Sequence, residues 1–265
     1  MKTLRYYGKI YLLLVAQYMK ARMQYRADFF ISLIGLIITN VSGIVTFWII
    51  FQSVDNINGW NYHDLIFMYA LSLLVMIPQE LFFNNIWYLG GYLVEGSFIK
   101  FYLRPLNMLF YYMSDLFDAK GLGQLAVGIV ALAYASAGLG IAWTPVKILL
   151  LLAVIFSGSL IIISMMGIAS FTGFWVIRAN PILKLTENLR DFSRYPVSIY
   201  NNFLRFVFSF IIPIGFVSFY PSQWFLRPHH ISPIVYLGPV VGIAMFLIFY
   251  TMWRKGTRKY CGTGS

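Results

Sequence analysis

Few residues in this chain can do chemistry, and most of those stand alone. Glu80 is the one acid set well inside an apolar stretch, beside Pro78 and Gln79 and ahead of Asn84 and Asn85. An ionisable group in hydrocarbon is costly and persists where it pairs or serves a path. Counted from Asp64 at 1.5 Å per residue, Glu80 falls about 24 Å along a helix, near the inner membrane interface. Two readings stay open. In one it is an interfacial acid paired with Arg178 or with a basic residue of the N-terminal helix; in the other it sits at the cytoplasmic mouth of a pathway. His63 flanks an apolar run, and His229 and His230 have no carboxylate or cysteine nearby, so no metal site is expected. Ser157-Gly158-Ser159 lacks the flanking glycines of a hydrolase elbow and a histidine at the same depth, so no catalytic residue is assigned. The phosphate-binding pattern Gly-x-x-x-x-Gly-Lys-Ser/Thr is absent, and the chain is not expected to bind ATP by that route. The single Cys261 gives no disulfide framework.

The segment 90–106 is more informative. Glycines bound a short candidate helix, with Gly91 and Gly96 near its start, and Pro105 follows its end. Proline lacks the N–H that a helix needs and restricts the residue before it, so the helix must stop there. Val94, Phe98 and Phe101 are expected to form an apolar face held to the membrane base, leaving Glu95, Lys100 and Arg104 exposed. Such an element suits a helix-in-groove contact with a soluble partner; a plain turn between two spans is the alternative.

The elements that must position these residues follow from composition. The 265 residues are 60% hydrophobic and only 11% charged, against about 25% charged for a soluble domain. A chain so poor in charge cannot cover a globular surface with polar groups, so its surface faces lipid. Charges punctuate the sequence, leaving 29–54, 65–79, 121–146, 148–177, 206–226 and 228–253 without Asp, Glu, Lys or Arg. About 20 apolar residues cross a bilayer as a helix. Continuous runs without strict alternation exclude barrel strands. The expected fold is therefore all-α and polytopic: six transmembrane helices over 28–260, at about 29–53, 64–88, 121–138, 147–176, from 203 through Pro213, and 232–253. A cytoplasmic segment 89–107, an amphipathic cytoplasmic helix within 178–205, an outer re-entrant segment 219–231 and a tail 261–265 complete it. Residues 1–27 are interrupted throughout by basic residues. With Lys2, Arg5, Lys9 and Lys20 opposite Leu4, Tyr7, Tyr11, Val15 and Tyr18, they suit a helix lying in the inner interface. With both termini inside, every Lys and Arg except Lys147 and Arg227 lies on the cytoplasmic side. That bias sets the orientation as N-in and C-in. The net charge of +11 then reflects topology and anionic lipid, and no nucleic-acid partner is expected. No cleavable leader is expected, and no internal repeat is visible.

Gly96-Ser97-Phe98-Ile99-Lys100-Phe101-Tyr102-Leu103-Arg104-Pro105, Phe192-Ser193-Arg194-Tyr195-Pro196-Val197, Ile212-Pro213 with Pro221, and the tail from Trp253 to Gly264 resemble the permease subunits of bacterial type-2 ABC transporters. The likeness is to a branch with a separate ATPase and a second, related permease. It implies a coupling helix around Glu95, Gly96, Ser97, Phe98, Lys100 and Arg104. A cytoplasmic ATPase holding ATP and Mg would dock there, and no cofactor is expected in this chain. It also implies a hetero- or homodimer of permeases in the bacterial inner membrane, working as an exporter. The first, second and fifth spans would line the path, with Gln79, Glu80, Asn84, Phe208 and Pro213 as candidates. A stand-alone secondary transporter or channel, or a membrane scaffold, is the competing class; the absence of inverted repeats and of intramembrane charges argues against the secondary transporter.

Overall fold

Each long uncharged run is helical, as hydrocarbon requires of a backbone it cannot hydrate. The computed structural model describes residues 2–24, 26–176, 179–228 and 232–260. α1 (Lys2–Gln24) leads into α2 (Arg26–Phe51) and α3 (Tyr62–Phe82). Short helices α4 (Leu89–Val94) and α5 (Met108–Ser114) fill the connection to α6 (Gly121–Gly138) and α7 (Pro145–Phe171). α8 (Asn180–Asp191), α9 (Asn202–Phe206), α10 (Phe219–Leu226) and α11 (Gly238–Lys259) follow. Of these α2, α3, α6, α7 and α11 are long and apolar enough to cross a membrane. Caps fix two of the starts. Asn61 accepts from the Asp64 N–H at 2.9 Å while the Asp64 carboxylate accepts from the Asn61 N–H at 3.0 Å, a reciprocal box that satisfies two orphan donors. Thr144 caps α7, with Pro145 in the first turn, where its missing N–H costs nothing.

α3 is the axis of the molecule, buried without interruption from Leu65 to Ile77. α6 runs antiparallel to it, setting Gly121 over Leu81 and Gly128 over Leu74. α7 runs parallel to α3: the Ser159 hydroxyl donates to the Val75 carbonyl at 2.8 Å and Ser170 to Ile86 at 2.6 Å. On its other side α7 meets α11, where Gly167 lies under the Phe249 ring and Gly242 under the Ser157 carbonyl. Apolar burial gives no advantage between helices already in lipid, so close packing through such small residues holds the bundle.

Of the segment 178–205, expected on the cytoplasmic side, residues 180–198 instead cross the bundle. Asn180 lies over Gly90 at the inner end. Arg190 reaches Gln79 and Glu80 near the C-terminal end of α3. The Arg194 guanidinium stands 5.6 Å from the Tyr69 ring, and Tyr195 packs on Phe47 at 5.6 Å. The Ser198 hydroxyl accepts from Trp60 Nε1 at 2.9 Å, and its carbonyl from Asn58 Nδ2 at 2.6 Å, both in the loop between α2 and α3. These contacts climb α3 from its inner to its outer end.

The run expected as the fifth span is a re-entrant hairpin. Arg205 donates to the Ser198 carbonyl at 3.0 Å and Arg227 to the Gly59 carbonyl at 2.9 Å, so both arms of 202–227 are anchored at one outer loop. Between them the helical axis bends by 74°. The break is at Pro213, which has no N–H to continue a helix, and the Val217 carbonyl comes close to Gly158, well inside α7. The expected re-entrant segment 219–231 is thus only the returning arm; residues 229–231, with His229 and His230, lie outside the described residues, as do Arg178 and Cys261. Six crossings remain: α2, α3, α6, α7, 180–198 and α11. Lys184, Arg190 and Arg194 pass into the crossing and Arg205 to the outer side, yet the remaining basic residues still gather at the N-terminal side.

α1 packs by its aromatic stripe on the inner ends of the bundle rather than on lipid alone. Tyr7 lies 4.8 Å from the Phe110 ring and accepts from the Asn107 N–H at 3.2 Å, and Tyr11 lies 6.2 Å from Phe82. The two topologies differ most plainly at Asn202. In a Cys261→Ser background, Asn202→Cys is expected to react with an impermeant maleimide added outside intact cells. Reaction only after permeabilisation would return 180–205 to the cytoplasm.

Candidate functional site

Two sites emerge, one at the cytoplasmic base and one inside the membrane layer. At the base, the helix expected through 95–104 is broken. α4 ends at Val94 with Glu95 as its C-cap, and Gly96 takes a left-handed φ of 72°, a conformation that glycine adopts without a Cβ penalty. A 3-10 turn then runs over Ser97–Phe101. With three residues per turn, Phe98 and Phe101 share one face, and both are buried. Phe98 sits in an aromatic box of Phe101, Tyr112, Phe174, Trp253 and Tyr260, with ring centroids 5.1–6.0 Å away. The Tyr260 hydroxyl donates to the Gly96 carbonyl at 3.2 Å, and Tyr102 donates to Thr257 at 2.5 Å. The segment is therefore tied to α7 and α11 by its aromatic side.

Its outer side differs from the sequence expectation. Val94, assigned to the membrane-facing side with Phe98, is 69% exposed, because the reversal at Gly96 separates the two positions. Lys100, expected to face the cytoplasm freely, pairs with Asp115 at 2.8 Å over the Tyr92 and Phe101 rings. Burial works to lower the Lys100 pKa, but the Asp115 carboxylate outweighs it and holds the ammonium above the ordinary lysine value. Glu95 and Arg104 are exposed, Ser97 is half-buried, and Ile99 and the 74%-exposed Leu103 complete an apolar outer patch with Val94.

Within the membrane layer, the 180–198 crossing brings Lys184, Glu187, Arg190, Asp191 and Arg194 against α3. Arg190 is the hub. Its guanidinium donates to Gln79 Oε1 at 3.0 Å and Glu80 Oε1 at 3.1 Å and lies 3.8 Å from Glu187. Arg194 pairs with Asp191 at 3.2 Å, and Lys184 pairs with Glu187. Gln79 is fully buried, yet its Nε2 and the Arg190 Nε have no protein partner among the described residues. The pairing reading of Glu80 is thus met by Arg190 rather than by Arg178 or the N-terminal helix. Around this cluster the crossing exposes Lys184, Leu185 and Asn188 and leaves Asp191 half-buried, and α2, which adjoins it at Phe47–Tyr195, exposes Thr39, Ser42 and Thr46. The other path candidates do not join it. Asn84 donates to Asp118 at 3.0 Å at the inner end, Phe208 is buried against Phe192 and Tyr200 in the hairpin, and Pro213 forms the hairpin break.

Arg190, Asp191 and Arg194 carry the intramembrane chemistry, and sequence reasoning placed them in the cytoplasm. A usable signal was present: opposite charges at Lys184 and Glu187, Glu187 and Arg190, and Asp191 and Arg194 stand three apart, the spacing at which a helix neutralises itself. The cluster also removes the lack of intramembrane charge as an argument against a secondary transporter.

An all-α body with five helices long and apolar enough to cross a membrane, a structured base and a bent hairpin is that of a multi-pass membrane protein. The profile of the ABC-2 family transporter proteins matches residues 36–264, and the chain belongs to that family as a permease of an ABC transporter. Permeases of this family work with an ATPase partner and are typically not themselves catalytic. No curated protein and no solved structure matches the chain.

Removing one partner of a buried ion pair costs about 3–5 kcal/mol, because the other charge stays buried and uncompensated. Arg190→Leu is therefore expected to lower the thermal stability of the purified protein steeply, and Arg190→Leu with Glu80→Leu to recover much of the loss. Equal stability of wild type and Arg190→Leu would show that the cluster is not structural.

Proposed function

We propose that this chain is one permease half of an ATP-driven exporter in the bacterial inner membrane, with a second permease closing the path against its α2 and α8 faces. The observation that carries this reading is the stripe of exposed Lys184 and Asn188, continued by the half-buried Asp191, on a membrane crossing. The stripe lies at the level of Glu80, near the inner end of α3, and charged groups within a membrane crossing face protein or water rather than lipid, so it calls for one or the other beside it. The exposed hydroxyls of Thr39, Ser42 and Thr46 donate to carbonyls of their own helix at 2.7–2.8 Å, leaving oxygen lone pairs for a polar lumen. The unpartnered donors of Gln79 and Arg190 fit the same solvated path, since buried donors otherwise find protein partners.

The segment 95–104 is the docking element for a separate cytoplasmic ATPase, which would hold ATP and Mg. Its contact surface is the apolar patch Val94, Ile99 and Leu103, flanked by Glu95 and Arg104. The aromatic box around Phe98 would carry a push on this patch into α7 and α11. Because α8 leaves the inner end of α7, the Arg190 cluster would shift with them, opening the path outward.

Two measurements test the proposal. Asn188→Cys, in a Cys261→Ser background, should react with small water-soluble thiol reagents although it lies within the crossing, beside the Arg190–Glu80 pair, and ATP added to the assembled complex should change the rate. Reaction with lipid-soluble reagents alone would place the stripe against lipid and overturn the path. Val94→Asp with Leu103→Asp should weaken co-purification of the ATPase by about tenfold or more, since a few apolar anchors dominate such interfaces. Wild-type recovery of the ATPase would remove the docking role from this patch.

A further inference from the structure

A cleft of about 650 Å³ separates α1 from the stretch 104–115; the path does not use it, and it shares with the docking patch only Arg104, at that patch's edge. We infer that it binds an anionic phospholipid of the inner leaflet, with the phosphate at Arg104 and an acyl chain along α1. Tyr7 and Tyr11 tether α1 to Phe110 and Phe82. The adjoining stripe, with Tyr6, Ile10, Leu14 and Tyr18, faces Arg104, Pro105, Leu106 and Tyr111 across the gap. Residues spaced by four on a helix share one face, so this wall is continuous: Ile10, Leu14 and Ala21 give it apolar ground for a chain, and the hydroxyls of Tyr6 and Tyr18 and the Gln17 amide make it amphipathic.

The cleft lies where a headgroup would be. Tyr11 touches Phe82 at the inner end of α3, and α1 itself has the basic, amphipathic character of an interfacial helix. The charge inside is unbalanced. Asp115 is neutralised by Lys100 at 2.8 Å, whereas Arg104 makes no ion pair among the described residues. An arginine fork matches phosphate oxygens in charge and geometry, and the cytoplasmic leaflet is the source of such groups. The volume holds a headgroup and the upper part of one chain, leaving the remainder in the bilayer. The inference is independent of the transport reading, because it requires only that α1 lie at the inner interface.

The test is native mass spectrometry of the full chain released from nanodiscs of mixed phosphatidylglycerol and phosphatidylcholine. Wild type should retain one phosphatidylglycerol in preference to phosphatidylcholine, and Arg104→Glu should reduce that retention by about tenfold, as loss of a partly desolvated charge contact does. Leu14→Trp fills the cleft without altering its charge and should also displace the lipid, whereas Lys147→Glu, at the outer end of α7, should not. Monodisperse elution and unchanged helical content qualify each variant. Equal retention by wild type and Arg104→Glu, or no preference between the two lipids, would overturn the inference. So would thermal stabilisation by inorganic phosphate equal to that by phosphatidylglycerol, since the cleft would then be a free-anion site.

Discussion

Hydrocarbon can neither give nor accept a hydrogen bond, and the arrangement around α3 answers that constraint. Five crossings meet it with long apolar helices whose backbone groups are bonded along their own length. The sixth, 180–198, meets it with partners: Arg190 with Gln79 and Glu80, Arg194 with Asp191, Lys184 with Glu187. Such a segment is stable only beside something that completes it. α3 does this by offering Glu80 near its inner end and the Tyr69 ring further out, while α6 and α7 enclose its other sides through glycine and serine contacts. Removing lipid-facing apolar surface from α2 or α11 would alter the periphery; removing Glu80 would alter the reason that α8 lies where it does.

The cytoplasmic base uses a different physics. Rings packed edge to face around Phe98, together with the Tyr260 and Tyr102 hydroxyl bonds, join three separate parts of the chain with little freedom to slide. The outer side of the same segment carries Val94 and Leu103 with no such packing. One short stretch is thus rigid toward the bundle and open toward the cytoplasm, as a force-bearing contact requires.

Much of this was legible in the residues. The uncharged runs placed α2, α3, α6, α7 and α11 within a few positions, since continuous apolar length is a direct consequence of bilayer thickness. The stop at Pro105 was visible in the sequence, whereas the break at Gly96 was not, because a glycine near a helix start reads equally well as a helix boundary. What hydropathy could not rank was 180–198 against 206–226. The second is far more apolar, and without knowledge of Arg190's partners it was the natural fifth span. Val94 was misplaced for a local reason: a helical period was carried across Gly96, whose left-handed φ resets the register. The Lys100–Asp115 pair was hidden because the carboxylate lies fifteen residues away, beyond any helical spacing.

The hairpin 202–226 begins and ends at the loop around Trp60, and this has a bearing on biogenesis. The chain is delivered from its N-terminus, so Trp60 is in place long before its partner Ser198, 138 residues later, is made. An insertion machinery that sorts by hydropathy would favour stopping 206–226 in the bilayer and leaving 180–198 behind. The native arrangement needs the opposite order: the weaker segment is held first by charges on an earlier helix, and the stronger one then passes wholly through and folds back from outside. Glu80 in this sense reserves a place in the membrane for a segment that has not yet been synthesised.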